Sequence, residues 1–308
     1  MQNTNMNDAM QANLGFVQSQ TAHIETGVYN TRYPAIQYPG LIPVDTSANP
    51  WATSVTYYSQ DQAGKADWIN GKARDIPLAS TSRAKNTTAV YMAGVGYSYS
   101  LEEVSQAAML GISLSSEDAA AARRAYEEFV DQVALYGNAD KGFSGLLNYP
   151  TVPVVAAAKP WTGATADEVL ADLNGMITGV FTATNTVALA DTILLPWERY
   201  NYIATTPRSP NSDTTILQYF LQNNVYTAQT GQSITVRGVL GLSKIGTGNG
   251  TRAIAYRRSP DVLKLHIPMP HRFLPVQTIV LEYVVPGIFR LGGLDIRLPR
   301  EIAYLDGI

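Results

Sequence analysis

Two rhythms of apolar and polar positions run along this chain, and the places where one gives way to the other mark its parts. From Ser115 or Ser116 to Tyr136, apolar residues fall at Ala122, Tyr126, Phe129, Val130, Val133 and Tyr136. That is the spacing of one helical face, and Gly137 supplies the stop. The other face carries Glu117, Asp118, Arg123, Arg124, Glu127, Glu128 and Asp131. Pairs four apart, Arg123 with Glu127 and Arg124 with Glu128, support such a helix weakly across solvent. A shorter helix, LEEVSQAAML, is opened by Ser100 and Glu103 in a capping-box pattern and closed by Gly111. A third runs from about Ala166 to Val180 behind Thr165 and Glu168, with Val169, Leu173, Ile177 and Val180 on one face.

Elsewhere the rhythm is that of strands. From Trp51 to Tyr99, SVTYYSQ and TTAVYMAGVGYSYS are broken by turn signals at Gln62-Ala63-Gly64 and Asn70-Gly71, which reads as hairpins. Between them KARDIPLASTSRAKN is polar and basic, with Lys72, Arg74, Arg83 and Lys85, and cannot hold a core of its own. The first 45 residues, rich in Gln and Asn and then carrying Pro34, Pro39 and Pro43, keep no period and read as an arm. After the third helix come a strand in TVALADTILL, a turn of helix after Pro196, a helix across DTTILQYFLQNN and a strand near ITVRGVLGL. The last 60 residues are mostly strand, including AIAYRR, DVLKLHI, QTIVLEYVV and LDIRLP. The pattern is α+β with one dominant helix.

Composition narrows the function. The 308 residues are long enough for roughly two domains, yet only 15% are charged, against about 25% in typical soluble chains. Uncharged residues must therefore cover much of the surface, and the 18 Tyr suit subunit contacts. A net charge of −3 argues against gripping a phosphate backbone. The absence of Cys excludes disulfides, zinc ribbons, Cys nucleophiles and iron–sulfur clusters. The start lacks the pattern of a signal peptide, and no apolar run approaches the roughly 20 residues of a membrane helix, so a soluble protein made in the cytoplasm is expected.

Candidate chemistry is thin. His266 and His271 lie five apart with His23 distant, and no third metal ligand is in view. Glu102-Glu103 and Glu127-Glu128 are adjacent on helices and point about 100° apart, which suits a solvated face better than a catalytic pair. GTGNG at Gly246 to Gly250 lacks the Lys-Ser/Thr of a phosphate loop, and Asn249-Gly250 reads as a hairpin turn. Gly142-Phe143-Ser144-Gly145 misses a nucleophile elbow by one residue. Asp61, Asp67 and Asp75 near Lys65, Lys72 and Arg74 are either charge partners between neighbouring copies or solvated loop charges. No catalytic, cofactor-binding or metal residue is assigned.

The segment GYSYSLEEVSQAAMLGISLSSEDAAAARRAYEEFVDQVALYGNADKGFSGLLNYPTV, with LADTILLPWERYNYIATTP, SDTTILQYF and the stretch from AYRRSPDVLKLHIPMP to the final LDGI, resembles the tailed-bacteriophage major capsid proteins of the Hong Kong 97 type. The resemblance covers about Pro43 to Ile308. It implies an N-terminal arm (1–45), an extended E-loop (46–98), a peripheral domain with a long spine helix (99–185), an axial domain (186–274) and closing strands of the peripheral domain (275–308). It implies a structural protein, not an enzyme, that assembles with itself as hexamers and pentamers into an icosahedral shell. That shell encloses DNA without sequence-specific binding, in the virion, after synthesis and assembly in the host cytoplasm. Portal, scaffold and decoration proteins are the other expected partners, the scaffold as a separate protein; no cofactor and no membrane are expected. The E-loop is expected to lie over an adjacent subunit, with Tyr57, Tyr58 and Trp68 as candidate anchors and Asp61, Lys65 and Arg74 as candidate charge partners. The rival readings are an encapsulin-like cellular nanocompartment shell of the same fold, an α+β hydrolase, and a tail or tube protein.

Overall fold

The computed structural model describes residues 34–65, Trp68, 78–110 and 115–308. The chain divides into Met1–Ala35 and Ile36–Ile308, and the architecture below is that of the second unit. Arg74, Asn70-Gly71, Gly111 and most of the expected arm lie outside the described residues.

A five-stranded sheet sits at the centre, with strands in the order Thr235–Val239, Thr192–Pro196, Arg252–Tyr256, Ile302–Asp306 and Val154–Ala156. The two outer pairs are parallel and the two inner pairs antiparallel. Successive residues of a strand face opposite ways, so each of the three inner strands feeds two cores. Leu194, Ile254, Tyr256, Ile302 and Tyr304 join one core; Ile193, Leu195, Ala253, Ala255 and Leu305 join the other. Burial on both faces explains why TILLP is apolar without alternation.

The long helix, Ser115–Tyr136, closes the first core through Tyr126, Val130 and Val133. The helix Ala166–Ala183 closes the second through Val169, Leu173, Ile177 and Val180, and its N-terminus carries the full Thr165/Glu168 capping box. Ile203 from the helix Trp197–Thr205, and Ile216 and Phe220 from Ile216–Gln222, complete that core. The capping box expected at Ser100 also forms: Glu103 N–H donates to Ser100 Oγ at 3.1 Å and Ser100 N–H to Glu103 Oε2 at 2.8 Å, opening the helix Leu101–Leu110.

Several expectations need correcting. The buried residues of the long helix are Ala122, Tyr126, Val130, Val133, Ala134 and Leu135, whereas Phe129 and Tyr136 are each 39% exposed. Phe129 flanks them, edge-on to Phe289 with ring centroids 5.7 Å apart. Asp131 is not a solvated charge either. It accepts the backbone N–H groups of Gln37 and Tyr38 at 2.9 and 2.7 Å, capping the short helix Tyr38–Leu41, while Glu127 takes the Tyr38 hydroxyl at 2.7 Å. Arg124 and Glu128 do pair, at 2.7 Å. With Tyr38, Leu41 and Ile42 buried and Val44–Asp45 paired to Leu263–His266, residues 36–45 belong to the core although their sequence reads as arm. Replacing the fully buried Phe220 by Ala is accordingly expected to cost about 3–5 kcal/mol. Phe129→Ala, at a half-exposed site, should cost about 1–2 kcal/mol. Urea midpoints of the two variants test the order.

Asn249-Gly250 is not a hairpin turn. The strands on either side of it, Thr235–Val239 and Arg252–Tyr256, are separated in the sheet by Thr192–Pro196. Instead Gly246 and Gly250 close a loop on themselves, Gly246 N–H to Gly250 O at 2.9 Å, and Thr247 anchors it to Asp306. QTIVLEYVV, read as one strand, is a hairpin of Gln277–Ile279 and Glu282–Val285, turning at Val280 with φ of 56°.

Candidate assembly surface

The strands Ser54–Ala63 and Ser80–Ala89 pair in ten-residue register, from Ser54 opposite Ala89 to Ala63 opposite Ser80. Most of SVTYYSQDQA and STSRAKNTTA is polar, and the pair belongs to no other sheet, so its sides are not sealed by a core. STSRAKN, which cannot hold a core of its own, is a strand because it has a cross-strand partner at every residue.

Register sorts the residues onto two faces. Thr56, Tyr58, Gln60 and Gln62 share one with Thr87, Lys85, Arg83 and Thr81; Val55, Tyr57 and Ser59 share the other with Thr88, Asn86 and Ala84. Neighbouring Tyr57 and Tyr58 are therefore split. Tyr58 is 70% exposed, beside the exposed Lys85. Tyr57 lies under the Arg297 guanidinium, 4.5 Å from its ring centroid, and burial followed by the nearby Asp295 carboxylate pushes its hydroxyl pKa up.

The root of the hairpin is built from arginines. Val90 N–H donates to Thr53 O at 2.9 Å, closing the pair of strands. Arg290, buried, donates to Pro50 O and Val90 O at 3.3 and 3.4 Å, spanning the chain just before and just after the hairpin. Arg272 lies over the exposed Trp51 ring at 5.8 Å. Arg297 donates to Asp295 at 3.2 Å, Asp295 lies 3.4 Å from His266 Nε2, and His266 Nδ1 lies 3.7 Å from Asp45, which also pairs with Lys264 at 3.1 Å. Burial pushes the Asp45 pKa up, but the bonds from Ser47 and Lys264 outweigh it and leave the carboxyl well below the ordinary range. This row ties the segment entering the fold at Asp45 to the hairpin at Tyr57.

The sequence candidates thus fare unequally. Tyr58 and Lys65 are exposed, Tyr57 is held against the body, Trp68 is fully exposed, Asp61 stands opposite Ser82, and Arg74 is not described. Arg83 and Lys85, basic residues not singled out as contacts, share the outward face with Tyr58; alternation counted from Tyr58 along each strand would have found them. His266 and His271 do not converge: His266 is buried between Asp45 and Asp295, while His271 stacks on Tyr126 at 5.3 Å and bonds Val95 O at 3.0 Å. Among the described residues no group of three or more His, Asp or Glu could hold a metal ion, and no helix is long and apolar enough to cross a membrane.

A family model described as Major capsid protein matches residues 64–308. The fold is similar to the capsid of Myoviridae phage XM1, with 19% identity and a TM-score of 0.80 over 94% of this chain and 98% of that one. It is also similar to the capsid of an empty GTA particle (11%, 0.61, 92% and 94%) and to a chain of Mycobacterium phage Bobi (14%, 0.60, 92% and 94%). At these identities the likeness is one of fold. No curated protein shows significant similarity to the chain.

Proposed function

From the chain's membership of the major capsid protein family, shown by the match over residues 64–308, we propose that it builds the icosahedral shell around the DNA of a tailed bacteriophage. It is a shell-forming capsid protein with the α+β fold of Hong Kong 97-type phage capsids. In this reading its copies form hexamers and pentamers, its work is structural and not enzymatic, and assembly takes place in the host cytoplasm with a portal and a separate scaffold. The hairpin is the E-loop and lies over a neighbouring subunit, with Tyr58, Lys65 and Trp68 at the contact. The peripheral part is carried by the long helix and the first core. The helix Ala166–Ala183, expected with the peripheral domain (99–185), has its buried face in the second core, and this reading moves it to the axial part.

The observation that carries this reading is the family match; a projecting hairpin and low charge content support it. Purified protein, with and without its scaffold, should sediment as large particles and appear by electron microscopy as closed shells or regular sheets. A compact monomer under every salt and crowding condition would overturn the reading.

A further inference from the structure

The outward face of the hairpin is of one sign. Of its eight central residues, Thr56, Tyr58, Gln60, Gln62, Thr81, Arg83, Lys85 and Thr87, two are cations and none is an acid. Arg83 and Lys85 are exposed and make no ion pair among the described residues. Cations on an unprotected strand discourage promiscuous edge pairing, but they also need counter-charges when another protein surface covers them.

The same chain carries the opposite surface elsewhere. Residues 101–131 hold seven carboxylates against two arginines. Several of those seven have duties already: Glu127 and Asp131 hold the Tyr38 helix, and Glu128 pairs with Arg124. Of the others, Glu102 and Glu103 lie beside Ser100, where Glu282 of the neighbouring strand joins them. Glu102 and Glu103 begin the helix that Ser100 caps, Asp118 accepts the Tyr99 hydroxyl, and Glu282 stands opposite Ser100. Glu102, Glu103 and Glu282 are exposed, and none is in an ion pair among the described residues. Three carboxylates around Ser100 repel one another, and a cationic partner relieves that repulsion.

We propose that the Tyr58–Arg83–Lys85 face of the hairpin docks on the Glu102–Glu103–Glu282 corner of a second copy of this chain. The proposal rests on the reading of the hairpin as a segment laid over a neighbour, and it names the surface on which it lies. Charge complementarity between two unpaired patches of one sequence selects a second copy as the occupant. Tyr58 adds an apolar ring at the centre of the contact, where aromatic anchors carry most of the energy. The charges set partner and register more than strength, and because the pairs are exposed, salt weakens them over a screening length of about 8 Å at physiological ionic strength.

Charge exchange tests the pairing. The double variant Arg83→Glu/Lys85→Glu and the double variant Glu102→Lys/Glu282→Lys should each raise the concentration at which shells form by about tenfold. Combining all four substitutions in one chain should return it close to the parent value. All four sites are exposed, so thermal midpoints of the unassembled subunits should stay at the parent value; a reversal that lowers the midpoint is replaced by Gln at the same positions. Unchanged assembly by either double variant overturns the proposal, as does loss in both without recovery in the combination. Removal of the hairpin tests the underlying reading separately: shells from a hairpin-deleted chain overturn that reading, whereas failed rescue in a chain that needs its hairpin overturns only the docking surface named here.

Discussion

Removing Gln60 to Arg83 and joining Ser59 to Ala84 through a short Gly-Ser turn is expected to give a subunit that folds but no longer forms closed shells. Ser59 and Ala84 are register partners, so the shortened hairpin can close where it is cut. Among the described residues neither core loses one. What goes is the part that no core supports. Ordering it costs about 1–2 kcal/mol per residue in backbone freedom, and a lone hairpin is marginal in water, so contacts with other copies must offset the cost. Amide exchange in the intact protein should accordingly be fast from Tyr57 to Lys85 in free subunits and slow in shells, with the long helix protected in both. Shells of normal size from the deletion would make the hairpin an ornament.

Arg252→Met is expected to destabilise the subunit by about 3–5 kcal/mol. Arg252 and Asp306 are both buried and meet through two bonds, Nε to Oδ1 at 2.6 Å and Nη2 to Oδ2 at 2.8 Å. The guanidinium also donates to Leu147 O at 2.8 Å and covers the Tyr304 ring at 4.4 Å. Without it, Asp306 keeps only Thr247 as a donor and becomes a buried charge without its cation. The acid response carries the same signature. Burial pushes the Asp306 pKa up, but Arg252 and Thr247 outweigh it and hold the carboxyl below its ordinary value. A depressed folded-state pKa stabilises fully above the unfolded value of about 3.9, and the contribution is lost as pH falls below that toward the folded value. Urea midpoints at about pH 5 and pH 3 should fall for the parent through this group. The same step should be smaller in the variant; equal midpoints at pH 5 for parent and variant would show that the pair contributes nothing.

What could be read from the sequence was what is decided locally. Thr165 and Glu168 lie three residues apart and cap one another wherever the helix packs, and Val169, Leu173, Ile177 and Val180 are one stripe however the remainder folds. Misreadings arose where a distant partner decides. Asp131 looks solvated until Gln37 and Tyr38, more than 90 positions earlier, bring it their N–H groups. Asn249-Gly250 has the chemistry of a hairpin turn, but Thr192–Pro196 inserts between the flanking strands. The assembly surface was half legible: a segment too polar to stand alone was evident, yet the sorting of Tyr57 inward and Tyr58 outward depends on Arg297, which arrives 240 residues after Tyr57. Phe129 shows the limit of periodicity, since a helical spacing gives the stripe's direction to within one neighbouring position and Val130 took the centre.

The central sheet also constrains how such a chain can be edited. Because Ile193, Ala253 and Leu305 look into one core while Leu194, Ile254 and Tyr304 look into the other, inserting a single residue in the middle of an inner strand would exchange the cargo of both at once. An ordinary two-layer sheet exposed on one side would merely turn an apolar row to water; here each core would receive side chains shaped for its opposite. Tyr256 and Tyr304 would be pushed into space now filled by Ala255 and Ala303, and those alanines would leave voids behind. Length variation is thereby confined to the connections and to the hairpin, whose two strands belong to no larger sheet.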